Sequence, residues 1–226
     1  MSTKKTLVMA AKAPPEFIKC LTGELKQDYN VVKMTTPYKI GELDPDIIVV
    51  GRNSEKILKY CRPDTYVILL SSKHVFKPNL YGVEFDEIPN RDCDDLKDEK
   101  VVRERKKHLI VRLDSFYSKA RLDYMKDELE KNEEPTYDNS DYIYPLYPPQ
   151  VAIVLKSLID LDAEEVVHIR GIERTTEYNI AKTIASYFKL DFTKVKSVKP
   201  KTQGNVKLLG IVLPGSTRSI LKKYYG

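Results

Sequence analysis

The chain of 226 residues is 42% hydrophobic and 31% charged, with 33 acidic against 38 basic residues and a net charge of +5. This is the balance of an ordinary globular protein, long enough to bury a full core in one domain or in a large and a small lobe. No apolar run approaches the ~20 residues of a membrane helix, and Cys20, Cys61 and Cys93, odd in number and far apart, fit a reduced, cytoplasmic setting without disulfides or a zinc site.

No signal-peptide layout precedes Thr6. The run Arg103-Glu104-Arg105-Lys106-Lys107 reads as a solvated helix face, and no nucleic-acid motif accompanies it. Neither nucleic acid nor membrane is therefore expected as a partner.

In chain order, Thr6 to Ala11 (TLVMAA) reads as a buried strand. Pro14-Pro15 opens a helix, because proline suits a first helical turn, and Phe17, Ile18, Leu21 and Leu25 give it an apolar face. Tyr29 to Thr35 and Asp46 to Val50 are the next strands. Asn53 is placed to cap a short helix to Cys61, with Ile57, Leu58 and Cys61 inward. Then comes Tyr66 to Phe76 (YVILLSSKHVF), in which five apolar residues run without alternation before the composition turns polar. Such a run marks a strand buried on both faces of a parallel sheet, and ligands bind outside the carboxyl ends of such strands. Ser71, Ser72 and His74 sit there. The ordinary role of the serines is to satisfy backbone groups as strand becomes loop.

Beyond a loop with Pro78, Gly82 and Pro89, a charged helix spans Cys93 to Lys107, followed by a strand at Leu109 to Leu113 and a polar helix over 119–132. The tyrosine- and proline-rich stretch Pro135 to Pro149 marks a lobe boundary. An amphipathic helix (Gln150 to Leu161), a strand (Glu165 to Ile169) and a strongly apolar-faced helix (Thr175 to Lys189) follow. Gly210 and Pro214 bracket a turn before a last helix ending at Tyr224. Strands alternating with helices predict an α/β fold, a doubly wound parallel sheet. His108 and His168 read as packing residues, and no histidine has ligands at metal spacing.

Four stretches are similar to the extended short-chain dehydrogenase/reductases, specifically dTDP-4-dehydrorhamnose reductase and its relative, the methionine adenosyltransferase regulatory β subunit. Leu70 to Phe76 (LSSKHVF) resembles the family's I-S-S/T-D-Y-V-F segment, and Leu96 to Val102 its L-x-G-E-K-x-V helix. Val167 to Leu190 is similar to the strand, loop and helix of its substrate-binding lobe, and Pro200 to Pro214 to its closing segment. The order is colinear. The resemblance implies a Rossmann-like domain over 1–134, interleaved with a small substrate-binding-like lobe over 135–226.

The departures carry as much weight. Where the family has a G-x-x-G-x-x-G turn for the cofactor pyrophosphate, this chain has Met9-Ala10-Ala11-Lys12-Ala13-Pro14-Pro15-Glu16. Added Cβ atoms crowd a phosphate, Pro14 and Pro15 lack amide donors, and Glu16 is expected to repel an anion. The catalytic Y-x-x-x-K is missing too: Arg91 and Asp95 fall at those places, and no tyrosine lies between Tyr81 and Tyr117. The strings Tyr29…Lys33 and Tyr178…Lys182 are coincidences of spacing. The Val50–Tyr66 connection is shorter than the family's.

These departures lead to the expectation of a non-catalytic relative, a regulatory or scaffolding subunit without cofactor. Its partner is expected to be a protein, a methionine adenosyltransferase catalytic subunit. Ser72 and His74 are then vestigial catalytic residues, and Ala10, Lys12, Pro14 and Pro15 a degenerate cofactor loop. Tyr142, Tyr144, Tyr147, Tyr224 and Tyr225 are candidate partner contacts, since tyrosine buries a large ring and keeps a polar tip. The alternative is an NADP-dependent nucleotide-sugar reductase with an altered site, in which His74 is the one conceivable new proton donor.

Overall fold

The computed structural model describes residues 4–34, 36–77, 89–131, 134–198, 207 and 210–226. Its strands are β1 (Thr6–Met9), β2 (Asn30–Lys33), β3 (Ile47–Val50), β4 (Tyr66–Ser72), β5 (His108–Leu113), β6 (Thr136–Asp138), β7 (Glu165–Gly171), β8 (Lys196–Val198) and β9 (Ile211–Leu213). Seven form one sheet in the order β2-β1-β3-β4-β5-β7-β9, while β6 and β8 pair separately. Every pairing is parallel. The helices are α1 (Pro15–Leu25), α2 (Pro37–Leu43), α3 (Ser54–Leu58), α4 (Asp94–Arg103), α5 (Lys119–Lys131), α6 (Pro148–Asp160), α7 (Glu177–Phe188) and α8 (Thr217–Tyr225). The architecture is the expected α/β, Rossmann-like doubly wound sheet.

A parallel sheet needs both faces covered, and the unbroken apolar runs of β1, β3, β4 and β5 supply residues to both. Leu7, Val49, Ile68 and Val111 face Phe17 and Leu21 of α1 and Leu155 of α6. Val8, Ile48, Val50 and Val67 face Ile40, Ile57 and Val102 of α2, α3 and α4. A further cluster joins Met125 of α5, Ile184 of α7 and Leu221 of α8 around Tyr117 and Tyr137. Each fully buried side chain of this size contributes about 1.5–3 kcal/mol.

The chain departs from the sequence reading at several places. Residues 37–43, unassigned from sequence, form α2, opened by Pro37 in its first turn. The charged helix stops at Arg103, and the basic run after it is not a solvated helix face. Arg105 donates to the carbonyl of Cys61 at 3.3 Å, and Lys107 pairs with Asp162 at 2.7 Å. Residues 211–213 are no turn but β9, the outermost strand beside β7. Asn53 occupies the start of α3 without a side-chain cap. Asp98 of α4 supplies that cap instead, accepting from the amides of Asn53 (3.0 Å) and Ser54 (2.7 Å). The loop with Pro78 and Gly82, Tyr81, Thr35 and most of the 200–209 stretch lie outside the described residues. Among those described, no helix is long and apolar enough to cross a membrane, no cluster could hold a metal ion, and the three cysteines are free thiols.

Candidate active site

After β1 the chain places β2 on one side of it and β3 on the other. That reversal opens a crevice at the carboxyl ends of β1 and β3, the position where doubly wound sheets bind ligands. The turn there is Ala10 to Pro14. Ala10 is buried and its amide continues the sheet to Val49 at 2.9 Å. The amides of Ala11, Lys12 and Ala13 donate no hydrogen bond to any described residue. Pro15 is the first helical residue and Pro14 its cap, so neither proline removes a donor that the helix would have used. Gly51 lies alongside: a Cβ there would sit 3.5 Å from the Lys12 nitrogen.

Glu16, expected to repel an anion, is hydrogen-bonded within the fold. Its carboxylate accepts from the Tyr224 hydroxyl at 2.5 Å and the Lys119 amide at 2.8 Å. What remains at the turn is three unengaged amides, the exposed Lys12 and the positive end of α1. This donor set fits an anionic phosphate group. The glycine fingerprint is absent from the residues, but the backbone donors such a turn exposes are present, with single methyl groups at Ala10, Ala11 and Ala13.

At the end of β4 the two serines do more than satisfy backbone. Ser71 donates to Glu99 of α4 at 2.6 Å, and Ser72 donates to Asp95 one turn earlier on the same helix. Glu99, 1% exposed, also forms a two-point pair with Arg112 of β5, at 2.9 and 2.8 Å. The face of α4 turned to β4 therefore carries the carboxylates Asp95 and Glu99, Asp95 at the place where the resemblance puts the family's lysine. Ser72 Oγ accepts the amide of His74 at 3.3 Å and caps a single helical turn, Lys73–Val75. Lys73 points inward, donating to the Tyr142 carbonyl at 3.1 Å and lying 3.4 Å from the Asp114 carboxylate. His74 is left exposed.

His74 lines a cleft of about 530 Å³ together with Pro14, the 115–118 stretch after β5, Arg121 of α5 and Glu177 of α7. Asp138 and Asp141 form part of its rim. Burial works against ionisation of Asp138, but the amides of Ser140 and Asp141 outweigh it and hold its carboxyl below the usual range. Arg121 pairs with Glu177 across the cleft. The 115–118 stretch and the Asp138–Asp141 rim had no motif to mark them in the sequence. The pairing of β4 with β5 brings the 115–118 stretch to His74, and the Asp138–Asp141 rim reaches it only through the tertiary fold.

The five tyrosines expected to face a partner are engaged within the chain. Tyr144 is buried, with the Arg170 guanidinium 4.9 Å from its ring centre, and Arg174 lies 3.7 Å from the ring centre of Tyr142. Tyr147 meets Tyr224 edge to face at 5.5 Å, and Tyr225 donates to Asp123 at 2.5 Å. His108 contacts the Arg105 carbonyl at 2.9 Å and His168 the Arg112 guanidinium at 3.2 Å.

No protein-family model and no curated protein matches the sequence. Solved structures do match. dTDP-4-dehydrorhamnose reductase from Bacillus anthracis, in complex with NADP, superposes with a TM-score of 0.73 at 16% identity, over 99% of this chain and 94% of its own. A hypothetical dTDP-4-dehydrorhamnose reductase from Sulfolobus tokodaii gives 0.68 at 18% identity, over 98% and 94%. dTDP-glucose 4,6-dehydratase from Bacillus anthracis, in complex with NAD, gives 0.69 at 13%, over 92% and 88%. The expectation of no cofactor is corrected by these structures, since proteins that share this fold were solved with NADP or NAD in place. The chain has the fold of the short-chain dehydrogenase/reductases that resemble dTDP-4-dehydrorhamnose reductase.

Proposed function

We propose that this chain is an NAD(P)H-dependent reductase of a nucleotide-linked sugar whose proton donor has moved to His74. The observation that carries the reading is the position of His74. It lies two residues beyond the end of β4, its amide is fixed by Ser72, and it lines the 530 Å³ cleft together with Pro14. The fold shared with the NADP-bound reductase from Bacillus anthracis supports the cofactor. A nicotinamide dinucleotide, when bound, supplies a hydride. The chain's own part is to hold phosphate on the Ala11, Lys12 and Ala13 amides, to seat the sugar in the cleft, and to deliver a proton from the His74 imidazole to the carbonyl oxygen. Imidazole suits that task because it exchanges protons near neutral pH. Ser72 cannot donate to substrate while its hydroxyl is given to Asp95, so it positions His74 rather than reacting.

Incubating the protein with NADPH and a dTDP-4-keto-sugar, and following absorbance of the reduced nicotinamide, tests the proposal. Turnover is expected in the wild type, with a drop of about 10²–10⁴-fold in His74→Ala, the range of a lost general acid. Ser72→Ala is expected to retain measurable turnover. Binding of NADPH without turnover of any such sugar, together with a defined complex formed with a methionine adenosyltransferase, would return the chain to the regulatory reading.

A further inference from the structure

Lys73 and His74 are neighbours in one helical turn, yet their side chains end in different places. His74 is exposed and lines the cleft, while Lys73 is buried, at 4% exposure. Its ammonium donates to the Tyr142 carbonyl at 3.1 Å and lies 3.4 Å from Asp114 Oδ1, itself on a residue 4% exposed. The same oxygen accepts the Ser115 amide at 2.7 Å. Ser115 lines the cleft, as do Asp141 and Ile143 on either side of Tyr142. One buried cation thus joins three walls of the cleft: the turn that carries His74, the stretch after β5, and the rim. Asn90 fastens the same turn to the approach to α4, its side chain donating to the His74 carbonyl at 3.1 Å and its amide to that of Val75 at 2.9 Å. Neither of those contacts involves the other two walls.

The pair is poorly arranged for stability. Asp114 Oδ2 is buried with no hydrogen-bond partner among the described residues, so half of the carboxylate is unused. A buried ion pair matches apolar packing only when such lone pairs are satisfied. What the lysine adds over an apolar side chain is a fixed distance, because an ammonium held by two oxygens sets how far apart they lie, whereas apolar groups in contact can slide. Distance matters at a reacting site, where a displacement of about 1 Å can cost about 10²-fold in rate. We infer that Lys73 is a positioning residue, whose tie to Asp114 and to the Tyr142 carbonyl holds the His74 turn against the other two walls of the cleft before a substrate enters. The kinetic consequence rests on the reading of His74 as proton donor; the tie itself does not.

The double variant Lys73→Met with Asp114→Asn tests it, since it removes both charges, keeps an acceptor for the Ser115 amide and leaves no charge buried alone. Lys73→Met by itself strands the carboxylate and should melt well below the wild type; the second substitution should bring the melting temperature back towards it. Stability and positioning then separate. In the double variant, turnover of a dTDP-4-keto-sugar with NADPH should still fall about 10²-fold in kcat, with KM little changed. The His74 ring signals in proton NMR should shift or split, while those of His108, at the far end of β5, stay in place. Asp114→Asn alone keeps the shape of the pair and the Tyr142 contact, and should show smaller changes in the same two readings. Wild-type kcat and unmoved His74 signals in the folded double variant, or in Asp114→Asn should the double variant not fold, would overturn the inference. If the wild type turns over no such sugar, the reading of His74 as proton donor fails, and the ring signals decide the tie on their own: displaced signals uphold it and unmoved signals overturn it.

Discussion

Glu99 and Arg112 form a two-point ion pair near the site. Both are buried, at 1% and 9% exposure, and Glu99 also holds Ser71. Burying two charges is costly, and their attraction compensates only when the geometry is good and the remaining lone pairs are used. Here both conditions are met. Removing one partner strands the other: Arg112→Ala or Glu99→Ala should lower stability by roughly 3–5 kcal/mol, read from urea unfolding midpoints. The apolar double replacement Glu99→Leu with Arg112→Met should lose less than either single alanine variant. If the two single losses simply add in the double alanine variant, the pair is not coupled and its role at the end of β4 is misjudged. The same logic explains Lys73, whose charge is neutralised by Asp114 inside the fold instead of reaching the cleft.

At the scale of elements, two glycines fix how the second half of the chain joins the sheet. A Cβ on Gly171 would sit 2.1 Å from the Pro145 carbonyl oxygen, and one on Gly210 would sit 2.5 Å from that of His168. Both neighbours are backbone, so they cannot swing away as a side chain could. Gly171→Ala and Gly210→Ala are therefore expected to destabilise by at least the ~1–3 kcal/mol typical of overpacking. Gly23, in contrast, lies in α1 with nothing within 4 Å of its added Cβ. Gly23→Ala should stabilise by about 0.5–1 kcal/mol through helix propensity and a less flexible unfolded chain. Thermal melts of the three variants side by side check the prediction. A stabilised Gly171→Ala would mean that Pro145 does not pack against β7 as described.

For the whole molecule, the tyrosines set a limit on alkaline stability. Burial, then the hydrogen bond to Asp160, pushes the Tyr29 phenol up to about 12. Burial likewise raises Tyr66, Tyr117, Tyr137, Tyr224 and Tyr225, with Glu16 adding to Tyr224 and Asp123 to Tyr225. A phenol whose folded value lies above its unfolded value of about 10 keeps its proton in the fold and loses it in the unfolded chain. Its contribution is complete below pH ~10 and declines as the pH rises through the folded value. The protein should therefore begin to unfold above pH ~10, with phenolate absorbance and loss of circular dichroism rising together. Ionisation of these six tyrosines, followed by their own ring signals, in a chain that is still folded would show these hydroxyls to be open to solvent.

The apolar runs of residues 6–9, 47–50, 66–70 and 109–113 made the strands of the sheet legible, because a strand buried on both faces leaves no room for polar alternation. Pro14-Pro15 and the periodic apolar faces of α1, α6 and α7 did the same for the helices. α2 escaped because a seven-residue helix with one buried side chain, Ile40, has almost no periodicity to show. β9 escaped because three residues carry no pattern of their own and are strand only by pairing with β7. The site divides in the same way. Ser72 and His74 could be found at the end of an apolar run, and the missing glycines could be read directly. Only the folded chain shows that Glu16 accepts from Tyr224 and that Asp95 and Glu99 take the serines. Those facts depend on contacts between residues far apart in the chain, such as the 208 positions between Glu16 and Tyr224. Local composition encodes burial and periodicity, but which charges meet is decided by the packing of distant elements.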